Sequence, residues 1–271
     1  MKIYVITDME GSAGILDRRF CGTFLPGNRF EEGRKLVTAE INAAVEGFFE
    51  GGATEIVILD GHGLGGIDQE ALDFRIRVVQ GSSAYYPDER DNDFDAVAWV
   101  GQHAKSRTEY AHLAHTDGYN VLEITINGVA VGEFGIGSLL SASHGVRTIF
   151  GSGDLAFTKE ANELVPGIEA VAVKRGLTPG SGDECNSEEY RVRNYSAVHL
   201  HPARACELIK EGTYKAAKRF IEDRESFVLP VMEPPFDIRV KFREEDGNPP
   251  CEWVRTHPSS LVEAWKSPWK K

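Results

Sequence analysis

Asp8 and Glu10 close the first apolar run of the chain (MKIYVITDMEG), Asp60 and His62 close the second (EIVILDGH), and His103 follows the third (DAVAWVGQH). Carboxylates and imidazoles are the oxygen and nitrogen donors that zinc takes. If the runs are strands of an open α/β sheet, their ends share one crevice, because ligands bind beyond the carboxyl ends of such strands. Glu133 lies in VAVGEFG among apolar residues and glycines, where a carboxylate is costly to bury unless paired or metal-bound. Each residue alone has a plainer reading. Asp8 and Glu10 suit a turn or cap, His62 a polar loop, His103 a helix start, and Glu133 a solvated face or an arginine partner. Their recurrence at successive strand ends favours a common site.

Other polar residues carry weaker signals. GHGLGG (61–66) matches the GxGxxG dinucleotide pattern. The segment after it has no room for a helix before the next strand, and no acidic residue ends that strand, so its glycines are read as a sharp turn. His112 and His115 sit in the loop segment EYAHLAHTDGYN, either as ligand, proton carrier or neither. His199 and His201 in VHLHP alternate as strand residues do and are read as structural. No GxSxG elbow occurs, and no cysteine has an evident base nearby.

The elements that must place these residues follow from periodicity. Residues 2–7 predict a strand, and 29–50 a helix with Leu36, Val37, Ile41, Ala44, Val45 and Phe48 on one face, stopped by Gly51-Gly52. Residues 55–60 predict a second strand, completing a βαβ unit. Further strands are expected at 75–79 and 95–100. A hairpin (121–126, 129–134) turns at Asn127-Gly128 and carries Glu133 in its second strand. Helix 135–144, strand 147–151, helix 158–165 and strand 168–174 continue the alternation. Residues 178–194 read as an excursion loop. Pro202 opens a helix to about 221, two strand-like runs fall within 226–241, and a serine-capped helix starts in SSLVEAW (259–265). The expected class is α/β: a main domain (1–176) with a central, mostly parallel sheet flanked by helices, and a smaller α+β part (177–271) for packing and oligomerisation.

With 271 residues and 41% hydrophobic content, the chain can bury a core without disulfide staples. The net charge of −12 argues against nucleic-acid binding and against anchoring to anionic lipid. Four scattered cysteines without a CxxC pair fit a reducing cytoplasm. No apolar stretch reaches membrane-spanning length.

Taken together, Asp8-Met9-Glu10-Gly11, the Asp60-Gly61-His62 strand end, Gly101-Gln102-His103-Ala104, His115 and Val131-Gly132-Glu133-Phe134-Gly135 resemble the dinuclear-zinc D-aminopeptidase family of the bacterial dipeptide-transport operon type. The resemblance extends to GDLAFTKEANELVPGIEAVAVK (153–174) and covers most of residues 1–176. It implies two Zn2+ per subunit. Asp8 would bridge them, Glu10 and His103 would complete one ion, and His62 and Glu133 the other. His115 is similar in position to the family's catalytic histidine, and Asp60 is a candidate to orient an imidazole. A bridging carboxylate and two ions lower the pKa of bound water enough to supply hydroxide near pH 7. The resemblance also implies release of N-terminal D-amino acids from short peptides, in the cytoplasm, by a homo-oligomer such as a decameric ring. The sequence departs from the family pattern in three places. Ala114 and Thr116 flank His115 where the family has serines, Gln102 stands for a tyrosine, and 178–194 is longer than in short members. The alternatives are a dinuclear-metal hydrolase of another amide and a nucleotide-binding module.

Overall fold

A computed structural model describes residues 1–63, 65–81 and 93–271. In chain order the first half holds β1 (Lys2–Thr7), α1 (Phe30–Glu50), β2 (Glu55–Asp60), β3 (Arg77–Val79), β4 (Ala96–Gln102), β5 (Val121–Ile126) and β6 (Val129–Val131). Then come α2 (Glu133–Ser143), β7 (Arg147–Asp154), α3 (Leu155–Leu164), β8 (Glu169–Gly176), α4 (Ser187–Arg193) and β9 (Ala197–His199). The chain ends with α5 (Pro202–Glu222), β10 (Phe236–Phe242), β11 (Cys251–His257) and α6 (Leu261–Lys266).

Seven strands form one sheet in the order β3-β2-β1-β4-β7-β8-β9, parallel except for β9. Its central strands are continuous apolar runs because both faces are covered. Ile3 and Val5 of β1, Ile56 and Ile58 of β2, and Ala96 and Ala98 of β4 pack with residues of α1 and α5. The alternate residues Tyr4, Ile6, Val57, Leu59, Val97 and Trp99 pack with Phe134 of α2 and with Phe157 and Ala161 of α3. Strand β1 pairs β2 on one side and β4 on the other, so the order reverses between β1 and β4. Such a switch point opens a crevice at the strands' carboxyl ends.

The second sheet is antiparallel, β11-β10-β5-β6, and it draws on both sides of residue 176. Asn127 and Gly128 both have positive φ (50° and 80°), the geometry of a tight type I′ hairpin turn. Its apolar face packs on Ile136, Leu139 and Leu140 of α2 and on Leu261 and Ala264 of α6. Conversely, β9 and α5 belong with the first sheet, α5 lying beside α1.

Several expected boundaries move. The strand expected from 75 begins at Arg77, and the segment 178–194 contains α4, which has a full capping box between Asn186 and Glu189. The strand-like runs expected within 226–241 are one strand, β10, and its partner β11 lies beyond them. The hairpin's second strand stops at Val131, and Glu133 opens α2 instead.

Helix α1 contributes one buried carboxylate to the region behind β1. Glu40 Oε1 accepts the Ala13 backbone N–H at 2.8 Å. Burial pushes its pKa up to about 7, against the pull of Ala13, Ser12 and Lys174. The folded chain therefore holds an extra proton between pH 4.5 and about 7, and stability falls as pH rises through that window. At ~1.4 kcal/mol per pKa unit the loss over those 2.5 units is on the order of 3 kcal/mol. Glu40→Gln should be more stable than the parent at pH 8 and gain little at pH 5. Denaturant unfolding at the two pH values checks this, and an equal difference at both would remove Glu40 from the titration.

Candidate metal centre

The junction between β1 and β4 is made by backbone. Asp8 N–H donates to the Val100 carbonyl (2.9 Å) and Gly11 N–H to the Gly101 carbonyl (2.8 Å). Gly101 has φ +78°, and a Cβ there would lie 2.1 Å from the Asp8 carbonyl oxygen. A Cβ on Gly11 would lie 2.0 Å from the Gln102 oxygen, so neither position admits a side chain. This close approach brings Asp8 Oδ2 within 3.1 Å of His103 Nε2.

Three imidazoles surround the carboxylates, and each is anchored by a backbone carbonyl. His62 Nε2 faces the Cys21 oxygen (2.8 Å), His103 Nδ1 the Ala104 oxygen (2.9 Å) and His115 Nδ1 the Leu113 oxygen (2.9 Å). A carbonyl only accepts, so those nitrogens carry the protons, and in the neutral ring the other nitrogen turns a lone pair inward. His62 Nδ1 then meets Asp8 Oδ1 and Glu10 Oε2, both at 3.0 Å. His103 Nε2 meets Asp8 Oδ2 at 3.1 Å and Glu133 Oε2 at 3.6 Å, and His115 Nε2 lies 4.0 Å from Glu133 Oε1. Asp8 Oδ2, Glu10 Oε2 and His103 Nε2 are buried without a hydrogen-bond partner. Acceptors facing acceptors, with three carboxylates packed together, require positive charge between them. Oxygen and imidazole donors in such a set fit divalent zinc.

The shortest contacts sort the residues into two halves that share Asp8. Asp8 Oδ1 faces His62, whose Nδ1 also faces Glu10, and Asp8 Oδ2 faces His103, whose Nε2 also faces Glu133. The resemblance implied the other division, Glu10 with His103 and His62 with Glu133. The first of those sets stays open to a metal, since Asp8, Glu10 and His103 offer donors within 4.8 Å of one another, as do His103, His115 and Glu133.

Charge follows the same geometry. Burial alone would raise the Asp8 carboxyl, but His103 and His62 hold it well below the usual range. Burial opposes charge on His62 and His103, yet Glu10 and Asp8 beside the first, and Glu133 and Asp8 beside the second, raise both well above the ordinary imidazole value. Protons and metal ions would thus compete for the same lone pairs. His115 behaves oppositely: burial and the neighbouring His103 lower its pKa, so it stays neutral. Its ring stacks between those of His103 (4.0 Å) and Tyr119 (4.5 Å).

Glu133 enters from the first position of α2, where a helix dipole favours a carboxylate. Its Oε1 accepts the Asp117 backbone N–H (2.8 Å), and Gln102 Nε2 lies 3.5 Å from Oε2. Asp60 orients no imidazole here. Its Oδ1 accepts the Gly66 N–H (3.0 Å) and Gln80 lies near Oδ2, so it braces the glycine turn. No helix follows that turn before β3 among the described residues, which removes the dinucleotide reading of GHGLGG. His112 lies outside the cluster, its Nε2 near the Leu16 oxygen and its ring edge-on to His199. Burial, with Lys174 and His199, pushes its pKa down to about 2. His199 accepts the Gly14 N–H, and His201 caps α5.

Two supports were not singled out from the sequence. Lys174 of β8 donates to the Glu10 carbonyl, and burial pushes its pKa down to about 8. Asp154, the last residue of β7, accepts N–H groups from Phe157 (2.7 Å) and His112 (2.8 Å) and so tethers the loop that carries His115.

Comparison with known proteins identifies the family. The D-aminopeptidase of Bacillus subtilis (strain 168) is 27% identical over 266 residues, 97% of this chain and 88% of that protein. The solved structure described as the Zn-dependent D-aminopeptidase DppA from Bacillus subtilis, a self-compartmentalizing protease, superposes with a TM-score of 0.80 at 22% identity. That superposition covers 98% of this chain and 94% of the other, and it shows a shared fold. Residues 1–257, from the first residue to the end of β11, match the family described as Peptidase M55, D-aminopeptidase. The chain therefore belongs to the D-aminopeptidase family of peptidases and is a hydrolase.

Proposed function

We propose that this chain holds two zinc ions through Asp8, Glu10, His62, His103 and Glu133, and releases N-terminal D-amino acids from short peptides with His115 as proton carrier. The observation that carries the reading is the set of three imidazoles, each anchored on a backbone carbonyl, turning lone pairs onto buried carboxylates. The zinc dependence of the Bacillus relative supports the choice of metal, and its self-compartmentalizing character supports a homo-oligomer, with a decamer as the proposed size. Four free cysteines support a cytoplasmic setting.

When bound, the ions supply Lewis acidity and a water of lowered pKa. The chain supplies the rest. Asp8 faces both His62 and His103, and Glu10 and Glu133 would each help to hold an ion beside them. The Leu113 carbonyl fixes the His115 ring, leaving Nε2 free to take a proton from the attacking water and return it to the leaving amine. Stacking between His103 and Tyr119 keeps that nitrogen in place without making it a hydrogen-bond donor to either ring.

The test is a panel of D-Ala and L-Ala amides and tripeptides, each with and without an N-terminal acetyl group, run beside elemental analysis. The expected result is cleavage of the unblocked D-series and close to two ions per chain. Preference for the L-series, or indifference to acetylation, would replace the D-aminopeptidase reading with hydrolysis of another amide.

A further inference from the structure

We propose that Arg18 and the hydroxyl of Tyr119 form a carboxylate-binding subsite beside the metal centre, which reads the free C-terminus of a dipeptide or tripeptide. The inference rests on the aminopeptidase reading above and narrows its substrate class.

Tyr119 stacks on His115 with ring centroids 4.5 Å apart and planes 21° apart. Its hydroxyl is buried and has no hydrogen-bond partner. A buried phenol ordinarily finds one, so an orphaned hydroxyl at a catalytic cluster asks for a ligand. A phenol is protonated at neutral pH and can donate one hydrogen bond.

Arg18 supplies the second, independent observation. Its guanidinium carbon lies 5.0 Å from the Tyr119 ring centroid and beside the Tyr195 hydroxyl. In this acidic chain the nearby arginines are paired: Arg19 with Asp17, Arg29 with Glu32, and Arg34 with Glu31. Arg18 has no ion pair among the described residues. It is half-buried, so part of its hydration is already lost. A guanidinium fork matches a carboxylate with two parallel hydrogen bonds.

Charge and reach give the subsite its purpose. The charge of the three carboxylates is taken up by the ions they would hold, and Arg18 offers a separate fixed cation one ring away for an anionic peptide end. Arg18 stands one aromatic ring beyond His115. A peptide spans roughly 3.3–3.6 Å per residue, so a chain held by its amine at the metal centre brings its C-terminus to Arg18 after two or three residues.

The experiment compares a D-alanyl dipeptide bearing a free C-terminus with its C-terminal amide. Wild type, Arg18→Gln, Arg18→Lys and Tyr119→Phe are assayed, with metal content measured for each. Wild type is expected to favour the free acid about 10–100-fold in kcat/KM, mostly through KM. Arg18→Gln should bring that ratio to within about threefold, Arg18→Lys should retain part of it, and the isosteric Tyr119→Phe should lower it with full metal content. A wild-type enzyme that cleaves acid and amide equally overturns the subsite and leaves the aminopeptidase reading intact. The same holds if Arg18→Gln slows both substrates alike. Cleavage of neither substrate by metal-loaded wild type overturns the aminopeptidase reading and the subsite with it.

Discussion

Asp8→Asn is expected to abolish binding of both ions and to reduce turnover by about 10³-fold or more, the equivalent of the several kcal/mol that Lewis-acid stabilisation supplies. No other residue of the cluster presents one oxygen to His62 and the other to His103. An amide keeps one weak oxygen donor and loses the charge that offsets the cations. Glu133→Gln, by contrast, disturbs only the half containing His103 and should leave about one ion per chain. The two variants separate a shared ligand from a terminal one. Elemental analysis reads the first effect. Thermal unfolding with and without chelator reads the second: ions that bind only the folded chain raise its melting temperature, so chelator should destabilise wild type and leave Asp8→Asn unmoved. Two ions retained in Asp8→Asn would remove Asp8 from the bridging position.

The candidate ligands were legible in the sequence because parallel strands end where they act. A buried strand reads as a short apolar run, and the first polar residues after it fall at the carboxyl edge. That logic located Asp8, Glu10, His62 and His103 before any geometry. Applied to β7 and β8 it would also have found Asp154 and Lys174, charged residues closing the runs RTIFGSGD and EAVAVKRG. Glu133 was assigned to a strand because VAVGEF alternates like one. The glycine at 132 instead ends β6 and opens α2. Which oxygen of Asp8 faces which ring was not legible, because it depends on side-chain torsions that residue type does not report. Nor were the partners that orient the imidazoles, because the carbonyls of Cys21, Ala104 and Leu113 leave no mark in residue type. Asp60 was the natural candidate for that role by chemistry, but the turn at 61–66 claims its carboxylate. The crossing of the chain between sheets was hidden for a related reason. Strand periodicity reports which face is buried, not which sheet buries it, so the hairpin β5–β6 gave no sign of pairing with β10 more than a hundred residues away.

His115→Ala is expected to keep both ions and lose roughly 10²–10⁴-fold in turnover, the range for removal of a general acid–base. His62 faces Asp8 and Glu10, and His103 faces Asp8 and Glu133, so five donors besides His115 stand ready for the ions. Its Nε2 lies 4.0 Å from Glu133 Oε1, a distance that suits a passing proton better than a fixed bond. Truncation also removes a ring from the stack with His103 and Tyr119, so a loss of rate could arise from a displaced His103 instead. His115→Phe resolves the two, since it restores the stacked ring without a titrating nitrogen. Equal loss in both variants, with full metal content, assigns the effect to proton transfer. Recovery in the phenylalanine variant would make His115 a positioning residue. The pH profile supplies the remaining discrimination. Burial and the adjacent His103 lower the His115 pKa, so its base form persists into mild acid and rate should fall only below the ordinary imidazole range. The part of the acid limb set by His115 should be absent from both variants, while the part set by protons competing with metal at His62 and His103 should remain. Loss of one ion in His115→Ala would instead place His115 among the ligands, alongside His103 and Glu133, whose donors lie within the same 4.8 Å group.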